Sequence, residues 1–429
     1  MHYEKFQDGT VKCIENEIPF ELPEGWSWAR LRDICMMSAG KSKSTVQIKS
    51  EPFEGSYPCF GGNGVRGYVD EYNQDGIFSI VGRQGALCGN INIAIGKFYA
   101  TEHAVVTTLF DGIDFKWSNY ILEALRLNNY ATGAAQPGLS VANILNVFVP
   151  VPPTQEQDRI GNNVYESLKI VEALEQEKID LQKNIITAKT KILNLAICGK
   201  LVPQDPNDEP ASVLLERIRA EKEELIKHGK IKRDKKESVI FKGDDNSYYG
   251  IHLPDSWNWA SLREIALSIS DGSHNPPPNN GSGIPLLSAA NINDNSILMN
   301  EISRWITNEE WKIENKRTNI EVGDVLLTIV GSIGRSAVVQ NNNHFALQRS
   351  VAVIKPCLIN PLYLMHIVQS PQIQKWLTDN SKGTAQKGIY LNALSLMIIP
   401  IPPLAEQARI VELIHIAYKQ LDLISNALL

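Results

Sequence analysis

The chain has 429 residues, more than a single hydrophobic core usually organises, so we expect two or three domains. A net charge of −6 gives no global signature of nucleic-acid binding, although it is compatible with a local basic groove or with a partner that supplies positive charge. The opening "MHYEKFQDGT" lacks the pattern of a signal peptide, and no charge-free apolar window approaches the length of a membrane span. We therefore expect a soluble, cytoplasmic protein with no membrane segment.

The cysteines form no recognisable site. They stand at positions 13, 35, 59, 88, 198 and 357, with no Cys-x-x-Cys pair among them. This spacing argues against both a zinc site and a disulfide framework. We expect reduced thiols, most of them packed in the interior, and no bound metal.

A glycine-rich stretch, "GGNGVRGYV" at 61–69, has the Gly-x-Gly-x-x-Gly spacing of dinucleotide-binding loops. Such a loop must follow a buried strand and open a helix. The residues after this one, "YVDEYNQDGIFSIVG", are typical of strands and turns instead. We interpret the glycines as a tight loop that lets the backbone approach a surface. The histidines also lack triad-like or His-Glu-x-x-His neighbours, so we expect the chain not to be an enzyme.

The chain contains an internal repeat. The stretch "LPEGWSWARLRDI" at 22–34 returns as "LPDSWNWASLREI" at 253–265. Further on, "ATGAAQPGLSVANILNVFVPVPPTQEQDRI" at 131–160 returns as "SKGTAQKGIYLNALSLMIIPIPPLAEQARI" at 381–410. The two copies share their ends and differ in their interiors. The ends therefore indicate a common frame, and the interiors indicate interchangeable inserts.

A helix is predicted after the proline-rich strand that ends each copy. Thr154 is placed to cap the first helix, with Gln157 at the capping-box position. Apolar residues then follow a heptad seam, which predicts two coiled-coil strands; packing of each stripe on its own domain is the alternative. The last helix is shorter than the central one, which leaves open how much of the coiled coil is two-stranded. The seam positions are Val164, Val171, Leu174, Leu181, Ile185, Ala188, Ile192 and Leu195 in the first helix, and Ile410, Ile414, Ala417, Leu421, Ile424 and Leu428 in the second.

Between the copies, a proline-rich loop leads into a charged helix predicted from about Ser212 to His228. A basic run overlaps its end and consists of Lys227, Lys230, Lys232, Arg233, Lys235 and Lys236. A solvated linker is the first interpretation of this run, and contact with a nucleic-acid backbone is the second.

These features together resemble the specificity subunit of type I restriction-modification systems. The resemblance covers nearly the whole chain. It rests on the openings "LPEGWSW" and "LPDSWNW", on "GGNGVRGY", "VGRQGALCG" and "TEHAVV" in the first insert, on "DGSHNPP", "GIPLLSAANI" and "TIVGSIG" in the second, and on the helix starts "VPPTQEQDRI" and "IPPLAEQARI".

The resemblance implies an α+β fold with two target recognition domains in tandem. Long helices separate the domains and form an antiparallel coiled coil with pseudo-two-fold symmetry. The corresponding boundaries are 1–153 and 246–403 for the two target recognition domains, 154–200 and 404–429 for the coiled-coil helices, and 201–245 for a linker with a charged helix.

The resemblance also implies a non-catalytic function. Such a subunit reads one half of a bipartite double-stranded DNA target with each domain. It recruits two modification subunits, which use S-adenosylmethionine to methylate adenine N6, and two restriction subunits, which use ATP and Mg²⁺ to translocate and cleave DNA. We therefore expect this chain to bind no cofactor itself. A nucleotide-binding enzyme and a coiled-coil adaptor that binds only proteins are the alternatives.

Candidate DNA contacts lie in loops of both inserts. Arginine reads guanine, and asparagine or glutamine reads adenine, through paired hydrogen bonds in the major groove. The base-reading candidates are Asn63, Arg66, Arg83 and Gln84 in the first insert, and Ser273, His274, Asn275, Ser332, Arg335, Gln348 and Arg349 in the second. The candidates for phosphate contacts, which position without specifying sequence, are Lys41, Lys43, Lys382 and Lys387.

Two details of this assignment are open to test. The loop at 273–275 and the "GSIGR" loop at 331–335 are expected to take the places comparable to the two candidate loops of the first insert. For any single candidate, the alternative is a solvated loop residue or turn former. For Arg83 it is a structural salt bridge.

Overall fold

A computed structural model of the chain describes residues 2–133, 137–233, 247–383 and 387–428. The chain divides into two compact units, Met1–Glu177 and Lys178–Leu429, so the division falls inside the long central helix. Two members of the predicted basic run, Lys235 and Lys236, lie outside the described residues.

The first unit is built around one large, mostly antiparallel sheet. Its strands run in the order β4-β9-β7-β8-β5-β6, with only β5 and β8 parallel among these neighbours. A hairpin of β1 and β2 and a separate pair of β3 and β10 lie beside it. The strands are β1 Tyr3–Lys5, β2 Val11–Cys13, β3 Ser27–Arg30, β4 Cys35–Ala39, β5 Tyr57–Gly61, β6 Gly64–Val69, β7 Gln74–Gly82, β8 Ile91–Ala100, β9 Ala104–Leu109 and β10 Phe148–Val151, and the helices are α1 Phe115–Ala124, α2 Val141–Ile144 and α3 Thr154–Ile197, the last of which continues into the second unit.

The second unit has smaller sheets and more helix. One sheet has the order β14-β22-β19-β20 and another β18-β15-β21. Its main core gathers the β13–β23 pair, α7, α10 and the end of α3 around Trp257 and Tyr363. The strands are β11 Ser247–Tyr248, β12 Ile251–His252, β13 Asn258–Ser261, β14 Ala266–Asp271, β15 Ile284–Leu287, β16 Ile292–Asn293, β17 Ser296–Ile297, β18 Trp305–Ile306, β19 Val325–Thr328, β20 Ser336–Val338, β21 Ala346–Leu347, β22 Val351–Pro356 and β23 Ile398–Ile401, and the helices are α4 Ala211–Lys227, α5 Leu262–Ile265, α6 Asn308–Thr318, α7 Pro361–Val368, α8 Pro371–Asp379, α9 Leu391–Leu394 and α10 Leu404–Ala427.

The shared ends of the two copies fold in the same way. In both, the strand that carries the Trp-x-Trp motif pairs antiparallel with the strand that precedes the long helix. Ser27 opposes Val151 in the first unit, and Asn258 opposes Ile401 in the second, at matching positions of the repeat. The proline of each second strand faces a tryptophan across the pair. The repeat in sequence is therefore a repeat in structure, which we call the frame.

A buried glutamine fastens each long helix to its frame. The Gln157 side chain accepts from the Asp114 amide at 2.9 Å and donates to the Pro152 carbonyl at 2.9 Å. Gln407 makes the same two bonds, to the Asn360 amide and the Pro402 carbonyl, at 2.9 and 3.1 Å. Since a buried amide side chain is stable only when it is hydrogen-bonded, this arrangement fixes the direction of each helix.

The predicted cap of the central helix is wrong in detail. The helix begins at Thr154 itself, so Pro153 precedes it, and the Thr154 hydroxyl donates to the Gly112 carbonyl at 3.1 Å. Gln157 turns away from the helix end to make the two bonds described above. The Pro153 carbonyl accepts from the Glu156 and Gln157 amides at 2.7 and 3.0 Å.

Within the second unit, α10 runs antiparallel to the last turns of α3. Lys189 pairs with Asp422 at 2.5 Å, whereas the residues that follow α3 meet the start of α10, where Gln204 donates to Glu406 at 2.5 Å. The seam is buried at Ile185 in α3 and at Ile410 and Ile414 in α10. The α3 seam positions from Val171 to Leu181 are exposed. The two-stranded part is therefore limited to the second half of α3.

The charged helix between the copies packs against the second unit. Helix α4 buries Ala211, Leu214, Leu215 and Ile218 in the core of the second unit. The apolar residues on one face of α4 recur at helical spacing, whereas the described members of the basic run that follows are exposed. Part of the basic run is paired internally, since Lys227 contacts Glu224 and Arg233 contacts Glu223. Among the described helices, none is both long and apolar enough to cross a membrane.

Candidate nucleic-acid interface

In the first unit, three candidates line one cleft of about 620 Å³. Its floor is the turn between the antiparallel strands β5 and β6, which confirms that the glycines form a tight loop between strands. Asn63 lies in this turn, where its side chain accepts from Asn90 at 3.0 Å. Arg66 and Gln84 are exposed on the walls. A positive φ of 85° at Gly64 requires glycine for this turn.

The other candidates of the first unit lie outside this cleft. Arg83 is half-buried and donates from Nε to the Leu139 carbonyl at 3.3 Å, a bond to a carbonyl rather than the salt bridge given as its alternative role. Lys43 pairs with Glu71 at 2.6 Å, and that hydrogen bond raises the Lys43 pKa. This pairing competes with any phosphate contact. Lys41 is exposed and remains suited to one.

In the second unit, a cleft of about 520 Å³ brings together His274, Arg349 and Lys382. Its polar floor is Asp271, which is almost fully buried and contacts both His274, at 2.8 Å, and Arg317. The buried carboxylate therefore holds an imidazole and a guanidinium at the lining of the cleft. These groups can donate to base edges or phosphate oxygens.

The remaining candidates of the second unit do not line this cleft. Asn275 and Lys387 are exposed and are sequence neighbours of residues that line the cleft. Ser273 and Gln348 form a parallel β-bridge, and Ser273 is buried. Ser332 and Arg335 lie in an exposed turn. Backbone atoms of both residues hydrogen-bond the Thr328 hydroxyl. The Ser332 carbonyl accepts from it, and the Arg335 amide donates to it at 3.0 Å.

One pair of candidate DNA-contact loops has the same backbone hydrogen bonds in both units. The Gly40 amide donates to the Ala104 carbonyl, and the Gly272 amide donates to that of Val351, at 3.0 and 3.1 Å. A Cβ on either glycine would lie 2.1 Å from a backbone oxygen, so only glycine fits. Counting on from these glycines, 41–43 match 273–275. The loop at 273–275 is therefore comparable to the lysine loop, and not to the Asn63 turn as predicted.

A second pair of loops corrects the place of the "GSIGR" candidates. The Gly85 amide donates to the Pro137 carbonyl and the Gly331 amide to that of Lys387, both at 3.0 Å. Residues 83 and 84 therefore match 329 and 330. Ile329 and Val330 stand where Arg83 and Gln84 stand in the first unit, and Ser332 and Arg335 follow later in the turn. The expected equivalence fails because Ile329 is a core residue.

The described residues contain no group of acidic, histidine and cysteine side chains that could hold a metal ion. The cysteines are free thiols, and burial raises the pKa of Cys35 to about 12. What the clefts offer is a set of exposed donors on loops held by backbone bonds.

The frame and its two inserts match a known family. A family model described as "Type I restriction modification DNA specificity domain" matches residues 23–192 and 254–428. The chain belongs to this family. The two matched ranges correspond to the two copies of the sequence repeat, so the chain contains two specificity domains in tandem. The predicted α+β fold, with tandem domains and a long helix, is confirmed.

Curated relatives carry the corresponding names. The chain is 50% identical over 153 residues to the Escherichia coli type I restriction enzyme EcoprrI specificity subunit, a match that covers 34% of this chain and 36% of that subunit. It is 24% identical to the Escherichia coli EcoEI specificity subunit across 99% of this chain and 83% of that subunit. The stronger identity thus spans little more than a third of the EcoprrI subunit.

Solved structures share the fold of the specificity-domain pair. The HsdS subunit from Thermoanaerobacter tengcongensis aligns with a TM-score of 0.55 at 17% identity and covers 95% of this chain and 93% of that one. A chain described under "Structural basis underlying complex assembly and conformational transition of the type I R-M system" aligns with a TM-score of 0.56 at 18% identity, over 96% and 94%. At such identities the likeness concerns the fold.

Sequence reasoning missed several residues that line the specificity-domain clefts. They are His103 in the first unit, and Asp271, Arg317, Tyr390 and Asn392 in the second. Tyr390 was within reach of the sequence, because it is an exposed aromatic residue at a position of the repeat where the first copy has Ser140. Arg317 was not, since it reaches the cleft from the end of α6, far along the chain.

Proposed function

We propose that the chain reads double-stranded DNA and scaffolds a type I restriction-modification complex, with each unit reading one half of a bipartite target. The observation that carries the proposal is the pair of clefts built on a repeated frame. Each presents exposed side chains of the kinds that read bases or hold phosphates. The identity of these side chains differs between the units, so the two half-sites differ as well.

The chemistry of the complex is assigned to other subunits. The chain itself is non-catalytic and binds no cofactor. It recruits two modification subunits, which bind S-adenosylmethionine and methylate adenine N6, and two restriction subunits, which use ATP and Mg²⁺. The net charge of −6 supports this division, because a chain with few clustered cations gains little from phosphate neutralisation by itself.

An exchange of one insert tests the proposal. Residues of roughly 36 to 147 are replaced by the corresponding insert of another member of the family, and the chain is expressed with its modification subunit. Sequencing of methylated adenines in the host genome then gives the target. We expect one half of the methylated sequence to change and the other half to stay the same.

A reciprocal exchange in the second unit, between strands β14 and β23, is the matched control and is expected to change only the other half. A change in both halves after either exchange contradicts the assignment of one reader to each unit. Duplex binding without sequence preference by the chain and its modification subunit would favour the protein-binding adaptor instead.

A further inference from the structure

In the second unit, residues 199–227 cover the outside of the frame, and we call them the covering segment. Its loop bonds the start of α10 through Gln204, whose side-chain amide donates to Glu406 at 2.5 Å, and through Asp208, which accepts from Arg409 at 2.5 Å. Glu406 also accepts from the Trp257 indole at 2.9 Å. A tryptophan, a glutamate and an arginine of the frame therefore hold the loop.

Helix α4, the second part of the covering segment, is held by the turn after β13. Arg219 donates two bonds to Glu264, at 3.0 and 2.6 Å, and Glu264 is only 2% exposed. Lys222 donates to the backbone carbonyl of Arg263 at 3.1 Å. The apolar face of α4 joins the core that contains Ile410 and Ile414.

The first unit has the same holding residues at the matching positions of the repeat. Trp26 corresponds to Trp257, and Asp33 corresponds to Glu264 with its carboxylate kept. On α3, the positions that match Glu406 and Arg409 are Glu156 and Arg159. These residues lie on one frame whose strand register equals that of the second unit. The first unit thus has a second copy of the docking surface, which we call the open frame.

In the open frame these residues are more exposed than their counterparts in the second unit, and Asp33 also accepts from the Arg30 amide at 2.9 Å. The Asp33 side chain is 55% exposed where Glu264 is 2% exposed, and Arg159 is exposed. Within the described part of the chain, the Arg159 guanidinium and the Trp26 indole have no hydrogen-bond partner. The positions that match the fully buried Ile410 and Ile414 are Ile160 and Val164, and both are only half-buried.

We infer that the open frame binds a loop and helix of another polypeptide that has the chemistry of the covering segment. The loop presents an amide to Glu156 and a carboxylate to Arg159. The helix that follows presents an arginine to Asp33 and an apolar face to Ile160 and Val164. Charge complementarity decides this occupant, since the only difference between the two surfaces in these charged groups is aspartate in place of glutamate.

A separate partner fits better than a second copy of this chain. The covering segment of each copy is already held by its own frame through two charged pairs, Arg409 with Asp208 and Arg219 with Glu264. Donating it to a neighbour would break both pairs and expose the apolar face of α4. A partner with a free segment has no such cost.

A peptide of residues 199–228 of this chain is the probe. It is labelled with a fluorophore and titrated with the full chain, and fluorescence anisotropy gives its dissociation constant. We expect saturable binding that Arg159→Asp weakens at least about tenfold. The peptide with Asp208→Arg should bind the Arg159→Asp chain about as tightly as the original pair bind each other, because the charge pair is rebuilt in reverse.

The matched control is Arg409→Asp, which changes the equivalent arginine of the covered frame and should not weaken binding of the peptide. Circular dichroism verifies that each variant is folded. The inference is overturned by no binding up to about 1 mM peptide, or by binding that neither Arg159→Asp nor the reversed pair alters. Dimers of the full chain that the peptide disperses would place a second copy on the open frame, and would overturn the assignment to a separate partner.

Discussion

The two units have the same backbone hydrogen bonds at their candidate loops and carry different side chains there. Only glycine fits at positions 40 and 272. Lys41 follows the first of these glycines, and Ser273 follows the second. At the next strand end, Glu102 of the first unit corresponds to Arg349 of the second. The charge is therefore reversed, although the backbone hydrogen bonds are the same. Backbone hydrogen bonds therefore hold the loops in both units, while the side chains on them differ.

The frames differ in the opposite sense, because their side chains match and their surroundings do not. The tryptophan of the second unit, Trp257, is buried under the covering segment, whereas Trp26 is half-buried. Similar residues thus have unequal importance for stability. Exchange rates of backbone amides in the two strand pairs, β3 with β10 and β13 with β23, measure that inequality unit by unit.

The largest expected effect comes from removing these tryptophans. Trp257→Ala should lower the stability of the second unit by roughly 3–5 kcal/mol, because it empties a packed site and leaves Glu406 without one of its donors. Trp26→Ala should cost clearly less in the first unit. Hydrogen exchange of the two strand pairs is the measurement, with the wild-type chain beside each variant. Equal losses in both units would contradict the comparison of covered and open frames.

The next largest expected effect is that acid lowers the stability of the second unit more than that of the first. Burial lowers the pKa of His366 to about 4, and Tyr120 stands at the matching position of the first unit. A histidine whose pKa falls on folding contributes stability that is present above its unfolded pKa, about 6.5, and is lost as the pH falls towards 4. From His366 alone we expect a loss of about 3 kcal/mol in the second unit over that window.

Exchange measurements between pH 7 and pH 4 test this, with the first unit as an internal reference and intrinsic exchange rates corrected for pH. His366→Gln keeps a neutral polar group of similar size and should remove most of the extra acid sensitivity of the second unit. If the variant keeps the full acid loss, another group is responsible. His415, which also opposes protonation of His366, is then the first to replace.

Recognition should show smaller, local effects. On the proposed function, Arg66→Ala should cost about 1–3 kcal/mol of discrimination in the half-site of the first unit, and Arg349→Ala the same in that of the second. Lys41→Ala should weaken binding to all sequences alike, because a phosphate contact carries no base information. Methylation profiles of each variant in complex with the modification subunit measure this. Loss of specificity in both half-sites from one arginine would break the comparison.

The frame was predictable from the sequence and the clefts were only partly so. Two copies of a Trp-x-Trp strand and a Pro-Pro helix start define the frame by sequence repetition alone. The clefts depend on which loops meet in space. Gln84 could be predicted because it follows a glycine-flanked strand end, but Arg317 enters from a helix with no counterpart in the first unit. The role of Ile329 was missed because the prediction rested on Ser332 and Arg335 of the same loop, whereas the Ile329 side chain packs in the core.

The smallest effect concerns the two halves of α3, which share one heptad seam, interrupted at Ser167 and Lys178, and have different surroundings. Leu174 is 58% exposed and Ile185 is 6% exposed, although both are seam positions. In the isolated chain, Leu174→Ala should change stability by no more than about 0.5 kcal/mol, since it removes few contacts. Ile185→Ala is the matched control, and we expect about 2–5 kcal/mol for it. Thermal unfolding, followed by hydrogen exchange of the α3 backbone amides, compares the two variants. A large loss from Leu174→Ala would mean that the first half of the seam is already paired in solution, most simply with a second copy of the chain, and such a loss would then grow with protein concentration.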